Sequence, residues 1–298
     1  MANLLYPAST GHYTDDKYSA LVEPNLWANR PFQPGMTYTD KYQTGPAGQI
    51  FVHKAGIAVI SPTAPGADFS DSIVQDSLVT IALDKQFNRS RKMYGATVVS
   101  VAYAAAAVEM ETAIKEVAEA WHLQAFKSLV LTTSILVSDN KLTLLAKGTV
   151  YDQIVDDRQK MVEAKANPNT IIVSPSIYGF LLQSDEFQRT GVIGDLAVAG
   201  GIVGSIAGLN VVEYQSVDSW LEDGDVVGGV TWVKADDELE YVMYDSDAYS
   251  IVTSVDATRL VDEPSRFLGI LAQVQIVSGY KLTNTSRALV KLHDASAT

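Results

Sequence analysis

The chain has 298 residues, 47% hydrophobic and 19% charged, an ordinary globular mixture with length for one large core or two smaller ones. Its net charge of −13 opposes sequence-specific nucleic-acid binding, which rests largely on Lys and Arg releasing counterions; the lack of cysteine excludes a disulfide scaffold, a thiolate nucleophile and Cys-ligated zinc. The N-terminus MANLLYPASTGHYTDDK has no basic region leading into an apolar run, so it does not read as a secretory signal, and the most apolar stretch, Val192 to Val212, is broken by Asp195, Ser205, Asn210 and five glycines, which opposes a membrane span.

Residues 1–46 hold five of the ten prolines, Pro7, Pro24, Pro31, Pro34 and Pro46, together with Tyr6, Tyr13, Tyr18, Trp27, Phe32, Tyr38 and Tyr42. Prolines at this density block helix and central-strand structure, yet disordered tails are normally poor in aromatics. Two readings follow: an extended arm whose rings, Trp27 and Phe32 among them, pack on another subunit, or an irregular wrap on its own domain. Fully stretched, such an arm reaches ~150 Å.

From Gln49 to Val99 the period is close to two, with QIFVHKAGIAVI and IVQDSLVTIALDKQF separated by the turn-rich SPTAPGADFSDS. This pattern predicts a long β-hairpin or two-stranded loop. Its second limb runs into KQFNRSRK, which gathers Lys85, Arg89, Arg91 and Lys92 in an otherwise acidic chain. The cluster is either a solvated loop or an electrostatic contact with an acidic surface.

The clearest helix is predicted over Val98–Val130. Ala107, Met110, Ile114, Val117, Trp121 and Ala125 follow three-four spacing, while Glu109, Glu111, Lys115, Glu116 and Glu119 take other positions, which gives an amphipathic rod suited to be the spine of a flat domain. Ser134–Leu145 reads as strand, turn and strand. A second helix is expected from about Thr149 to Lys165, stopped by Asn167-Pro168. Thr170–Val173 is then a short buried strand, and Ser174-Pro175 supplies an N-cap with proline at the first helical position. Asn210–Tyr214, three segments between Asp225 and Thr258, and FLGILAQVQIVSGYKLTNTSRALVKL read as further strands. This order gives an α+β fold rather than a doubly wound sheet.

The chemistry-bearing motifs are sparse. GVIGDLAVAGGIVGSIAG contains neither a P-loop Gly-Lys-Ser/Thr nor Gly-x-Gly-x-x-Gly, so its glycines serve turns and close packing. Ser205 in GSIAG is one position out of register for a nucleophile elbow. Ser138-x-x-Lys141 and Lys147-Gly148-Thr149 echo a serine acyl-transfer site, but they share one polar turn. His12, His53, His122 and His293 are scattered, His122 being expected as a partly packed residue of the spine helix, and no metal is predicted at them. Asp236-Asp237-Glu238 and Asp245-x-Asp247 do not complete a calcium loop and read as acidic turns. No catalytic residue, metal or cofactor is expected.

The order of segments is more telling than any motif, and it resembles the major capsid protein of tailed bacteriophages, the Hong Kong 97-type fold. The local similarity lies in Ile172-Val173-Ser174-Pro175 leading into a helix through Leu182, and in Gly204-Ser205-Ile206-Ala207-Gly208-Leu209-Asn210-Val211-Val212 leading into the next strand. The resemblance implies an N-terminal arm over 1–48, an extended β-hairpin loop over 49–97 and the spine helix of a peripheral domain over 98–130. An axial domain over 131–262 and return strands of the peripheral domain over 263–298 complete it. It further implies self-assembly as hexamers and pentamers into an icosahedral head that encloses double-stranded DNA without sequence-specific binding. The location would be the virion, assembled in the host cytoplasm, with a portal and no membrane. No scaffolding segment is recognised before the arm, which suggests a separate scaffolding protein. The charge contrast predicts that Arg89, Arg91 and Lys92 of one subunit face Glu109, Glu111, Glu116 and Glu119 of another. The alternatives are a tail-tube or encapsulin-like shell protein, and an α+β enzyme with a pocket near 174–208.

Overall fold

The computed structural model describes residues 12–13, 31–42, 49–54, 77–132, 135–138, 145, 148–183, 202–214, 221–262 and 269–293. Among them are three α-helices: α1 (Gly95–Val130), α2 (Val150–Glu163) and α3 (Pro175–Leu182). The strands are β1 (His12–Tyr13), β2 (Gln49–Lys54), β3 (Ser77–Ala82), β4 (Lys85–Tyr94), β5 (Leu136–Val137), β6 (Thr170–Val173), β7 (Ile202–Ile206) and β8 (Leu209–Glu213). They continue with β9 (Val226–Val227), β10 (Val230–Thr231), β11 (Glu238–Tyr244), β12 (Tyr249–Asp262), β13 (Gly269–Leu282) and β14 (Ala288–His293).

The two main sheets are a four-stranded one, β1-β12-β13-β4, and a six-stranded one, β5-β14-β11-β6-β8-β7. The expected α+β class is borne out. In the six-stranded sheet β6 runs parallel to β8 and β5 parallel to β14, the other neighbours being antiparallel. Both faces of this sheet are covered, which is why β6 reads TIIV without alternation and is buried at all four residues. Ile172 turns to the core shared with α1, while Ile171 and Val173 turn to Val150, Ile154 and Met161 of α2 and Ile177 and Leu181 of α3.

Helix α1 lies on β13 and β4. From Met110 onward Met110, Ala113, Ile114, Val117, Ala118, Trp121 and Ala125 are buried, and Glu111, Lys115 and Glu119 are exposed, as three-four spacing requires. The Trp121 indole N–H donates to Ser278 Oγ at 2.8 Å. The Tyr249 hydroxyl, at 2.6 Å from the Ala125 carbonyl, donates to it. These two bonds satisfy buried polar atoms and fix the helix in register on the sheet.

Local signals account for the short elements. Ser174 Oγ accepts from the Ile177 N–H, with Pro175 at the first helical position of α3, which is the expected cap. The β7–β8 turn carries Ala207 at φ 49° and Gly208 at φ 80°, so the glycine of that run serves a hairpin turn. The part of the run before Ile202 lies outside the described residues, as do Lys141 and Lys147.

Two placements differ from the expected division. β12, taken to close the axial segment at residue 262, lies in the four-stranded sheet, and β14, taken to return to the peripheral domain, lies in the six-stranded one. Long pairing is the cause of the first, because β12 and β13 run in antiparallel register from Tyr249 opposite Leu282 to Asp262 opposite Ile270. The second follows from the 3-10 turn Thr285–Arg287, pinned where Arg287 O accepts from Asp245 N and Arg287 Nη1 meets Asp245 Oδ2 at 3.1 Å. The chain then re-enters beside β11.

Candidate functional site

Three features of the surface and of the segment before β2 bear on function. The first is a clasp formed by residues 31–42. Within it Gly35, at φ 72°, donates its N–H to Tyr38 O, and Gln33 N donates to Thr37 Oγ1 at 2.6 Å, so the segment holds its own shape. Thr39 N donates to Tyr249 O at 2.8 Å and attaches the clasp to β12. Phe32 is fully buried; its ring stacks on His122 and meets Tyr214 and Tyr249, while Tyr38 meets Trp121. Rings of this size contribute much of a core's buried apolar area.

This corrects two expectations. Phe32, expected at a subunit contact, is taken up by its own chain, because α1 and β12 leave an aromatic-lined slot that it fills. His122, expected to be partly packed, is fully buried between Phe32 and Trp121. Trp27 lies outside the described residues. The two readings of the arm thus divide: residues 31–42 wrap on the chain's own domain.

The second feature is a charged junction between β4 and α1. Arg89 Nε donates to Glu116 Oε2 at 2.6 Å, and Arg91 Nη2 donates to Glu116 Oε1. Two guanidiniums thus share one carboxylate. The Arg91 hydrogen bond is the main reason that the Glu116 carboxyl is held below its ordinary value, burial opposing it and Arg89 adding to it. Glu111 pairs with Lys115 one turn along at 2.6 Å. Glu119 and Lys92 are exposed, and the side chain of Glu109 lies outside the described residues. Part of the complementarity that predicted a contact between subunits is therefore used within one chain: Arg89, Arg91 and Glu116 come together in cis.

The third feature is the β2–β3 ribbon. Its strands pair from Gln49 opposite Ala82 to Lys54 opposite Ser77. Val52 and Ile81 face inward onto Val252, whereas the other face presents Phe51 and Leu78, 60% and 58% exposed. The ribbon's base crosses β13 so closely that a Cβ on Gly279 would lie 2.4 Å from Ala82 O. Only glycine admits that approach. Composition alone missed Phe51 and Leu78 as candidates, although apolar residues in both phases of a two-residue period, Ile50-Phe51-Val52, are the sign of a strand with two apolar faces.

Sequence reasoning also missed a buried polar layer under α2. Lys291 Nζ and Glu240 Oε2 are 2.6 Å apart with side chains 0% and 4% exposed. Glu240 Oε1 accepts the Leu145 N–H at 2.6 Å. Beside them Asp157 is buried among Tyr241, Ser138 and Gln153. A carboxylate at an inward position of the α2 stripe was the visible signal. The acidic turns behave as expected: Asp237 Oδ2 accepts the Val233 N–H, and Asp245 Oδ1 the Asp247 N–H. Among the described residues no group of three His, Asp or Glu side chains could hold a metal, and no helix is long and apolar enough to cross a membrane.

No family model matches the chain, and no curated protein matches it. Solved structures do. A chain of Mycobacterium phage Che8 superposes with a TM-score of 0.58 at 16% identity, over 98% of this chain and 98% of its own. The capsid structure of the cyanophage P-SCSP1u gives 0.61 at 12% identity, over 99% and 92%. The asymmetric unit of the bacteriophage PhiM1 mature capsid gives 0.53 at 14% identity, over 87% and 89%. At such identities the likeness is one of architecture, and the fold of this chain is that of phage major capsid proteins.

Proposed function

We propose that this protein is a major capsid protein that self-assembles into the icosahedral head of a tailed bacteriophage and encloses its double-stranded DNA. One observation carries the reading: the likeness to phage capsid structures runs along nearly the whole chain, including the segments before α1. The role is structural rather than catalytic. Residues 1–48 act as an arm that is clasped to its own domain at 31–42, and 49–97 as an extended loop, Trp27 reaching a neighbouring subunit from the part before the clasp. The ribbon's outer face, with Phe51 and Leu78, supports this, since permanent assemblies bury apolar anchors at their contacts. Shell closure follows when heterologous contacts repeat around rotation axes. Hexamers and pentamers are the units, a separate scaffolding protein and a portal are the partners, and the mature location is the virion after assembly in the host cytoplasm. Arg89, Arg91 and Lys92 follow one another along β4, and this strand faces Glu109, Glu111 and Glu119 of a neighbour. A chain of net charge −13 holds DNA by confinement rather than adhesion.

Light scattering and negative-stain microscopy test this on the full-length protein, expressed alone and together with the products of its neighbouring genes. Megadalton hollow polyhedra are expected in at least one of the two. Tubes would instead establish the tail-tube alternative, and a small oligomer under both conditions would overturn the shell reading.

A further inference from the structure

The buried layer between α2 and the six-stranded sheet includes a second carboxyl beside that of Glu240. Asp157 is 2% exposed. Its Oδ2 accepts from the Tyr241 hydroxyl at 2.6 Å, and its Oδ1 accepts from the Ser138 hydroxyl at 2.9 Å and from Gln153 Nε2 at 3.3 Å. Gln153 Nε2 also reaches Ser138 Oγ at 3.2 Å. Through these bonds one side chain of α2 holds β11 and the residue that follows β5, and Ser138 in turn donates its N–H to Val290 O of β14.

We propose that Asp157 is a proton-operated latch, which draws α2 more tightly onto the six-stranded sheet when its carboxyl takes up a proton. The geometry admits both states without movement of heavy atoms. As a carboxylate, Asp157 accepts from all three donors. As an acid it needs an acceptor for its own hydrogen, and either hydroxyl, Tyr241 or Ser138, supplies one by rotating, because a hydroxyl both donates and accepts. The hydroxyl that accepts then gives up the bond it donated to Asp157, so protonation exchanges one hydrogen bond for another while it removes a buried charge.

The surroundings set the direction. On α2 itself Lys160 lies one turn on, with Nζ donating to Val137 O at 2.8 Å, and Asp156 is the neighbouring residue. On β11 Glu240 is matched by Lys291 of β14, and Tyr241 meets Asp157 directly. Helix α3 carries no charged residue. Burial thus dominates and raises the carboxyl above its ordinary value of 3.8, opposed first by the Tyr241 hydrogen bond and last by Lys160. A carboxyl whose value is raised in the folded state contributes most below the ordinary value, and that contribution is lost as pH rises through the folded value. Docking of α2 is therefore tightest in acid.

The test is amide hydrogen exchange of residues 150–163 in the full-length protein, from neutral to mildly acid pH and corrected for the intrinsic pH dependence of exchange. Asp157→Asn imitates the protonated acid. At neutral pH its α2 amides should exchange more slowly than those of the wild type, by about tenfold for each pKa unit by which the fold displaces Asp157. The ratio should fall toward one in acid. A ratio that is constant with pH, or a wild-type α2 that loosens relative to the variant on acidification, overturns the latch. Tyr241→Phe gives an independent check that does not require Asp157→Asn to fold. It removes the donor that most favours the carboxylate, so the pH at which α2 tightens should move upward; an unmoved midpoint also overturns the proposal. Neither outcome depends on whether particles form.

Discussion

Lys291 shows how one irregular residue pair decides a core position. The register of β11 on β14 shifts between Leu239 and Tyr241, which leaves Glu240 as the bulged residue, and a bulge re-aims the side chain it displaces. That displacement puts Glu240 within 2.6 Å of Lys291. Removing only one partner would strand a buried charge, so Lys291→Met should destabilise the protein by about 3–5 kcal/mol. Adding Glu240→Gln should recover most of that loss, since the amide keeps an acceptor for Leu145 N–H without a charge. Urea unfolding of the single and double variants checks this, and equal losses in both would show that the carboxylate is not the cause. In the sequence, ALVKLH reads as a half-exposed alternating strand. The lysine is legible as a residue but not as a buried one, because the bulge and the cover over both sheet faces arise from distant segments.

At the scale of elements, those specified by local chemistry were legible and those specified by crossing chains were not. The Ser174-Pro175 cap, the TIIV strand, and the spine helix, predicted from Val98 and found from Gly95, each follow from neighbours within a turn or two. The clasp does not: PFQPGMTYT announces a turn, but only α1 and β12 make it a seat for Phe32 and Tyr38. Gly279 is similar. Nothing in IVSGYKL marks its glycine as the point where β3 crosses β13, yet the Ala82 carbonyl leaves no room for a side chain. Gly279→Ala should force the ribbon's base away and cost about 1–3 kcal/mol, the usual range for overpacking. Thermal unfolding measures the cost, and an unchanged midpoint would mean that the ribbon shifts freely at its base.

For the whole molecule the outer face of the ribbon is the most direct link between fold and assembly. Phe51 and Leu78 are largely exposed in the single chain, so changing both to Ser should alter chain stability by no more than about 0.5 kcal/mol. If they anchor a neighbour, the yield of closed particles should collapse while the melting temperature of the unassembled chain holds. Particles formed at normal yield would remove the ribbon from the contact.

The interior place of β14 has a temporal consequence. It sits between β5 and β11, yet residues 288–293 are synthesised after every other described strand. While translation proceeds, β11 lacks one neighbour and β5 has nothing to pair with, so the larger sheet closes only after the ribosome has passed residue 293. Contacts this distant in sequence carry a high loop-closure cost and make folding slow. A nascent chain therefore emerges with its ribbon made but its larger sheet still open until β14 has followed β11 out.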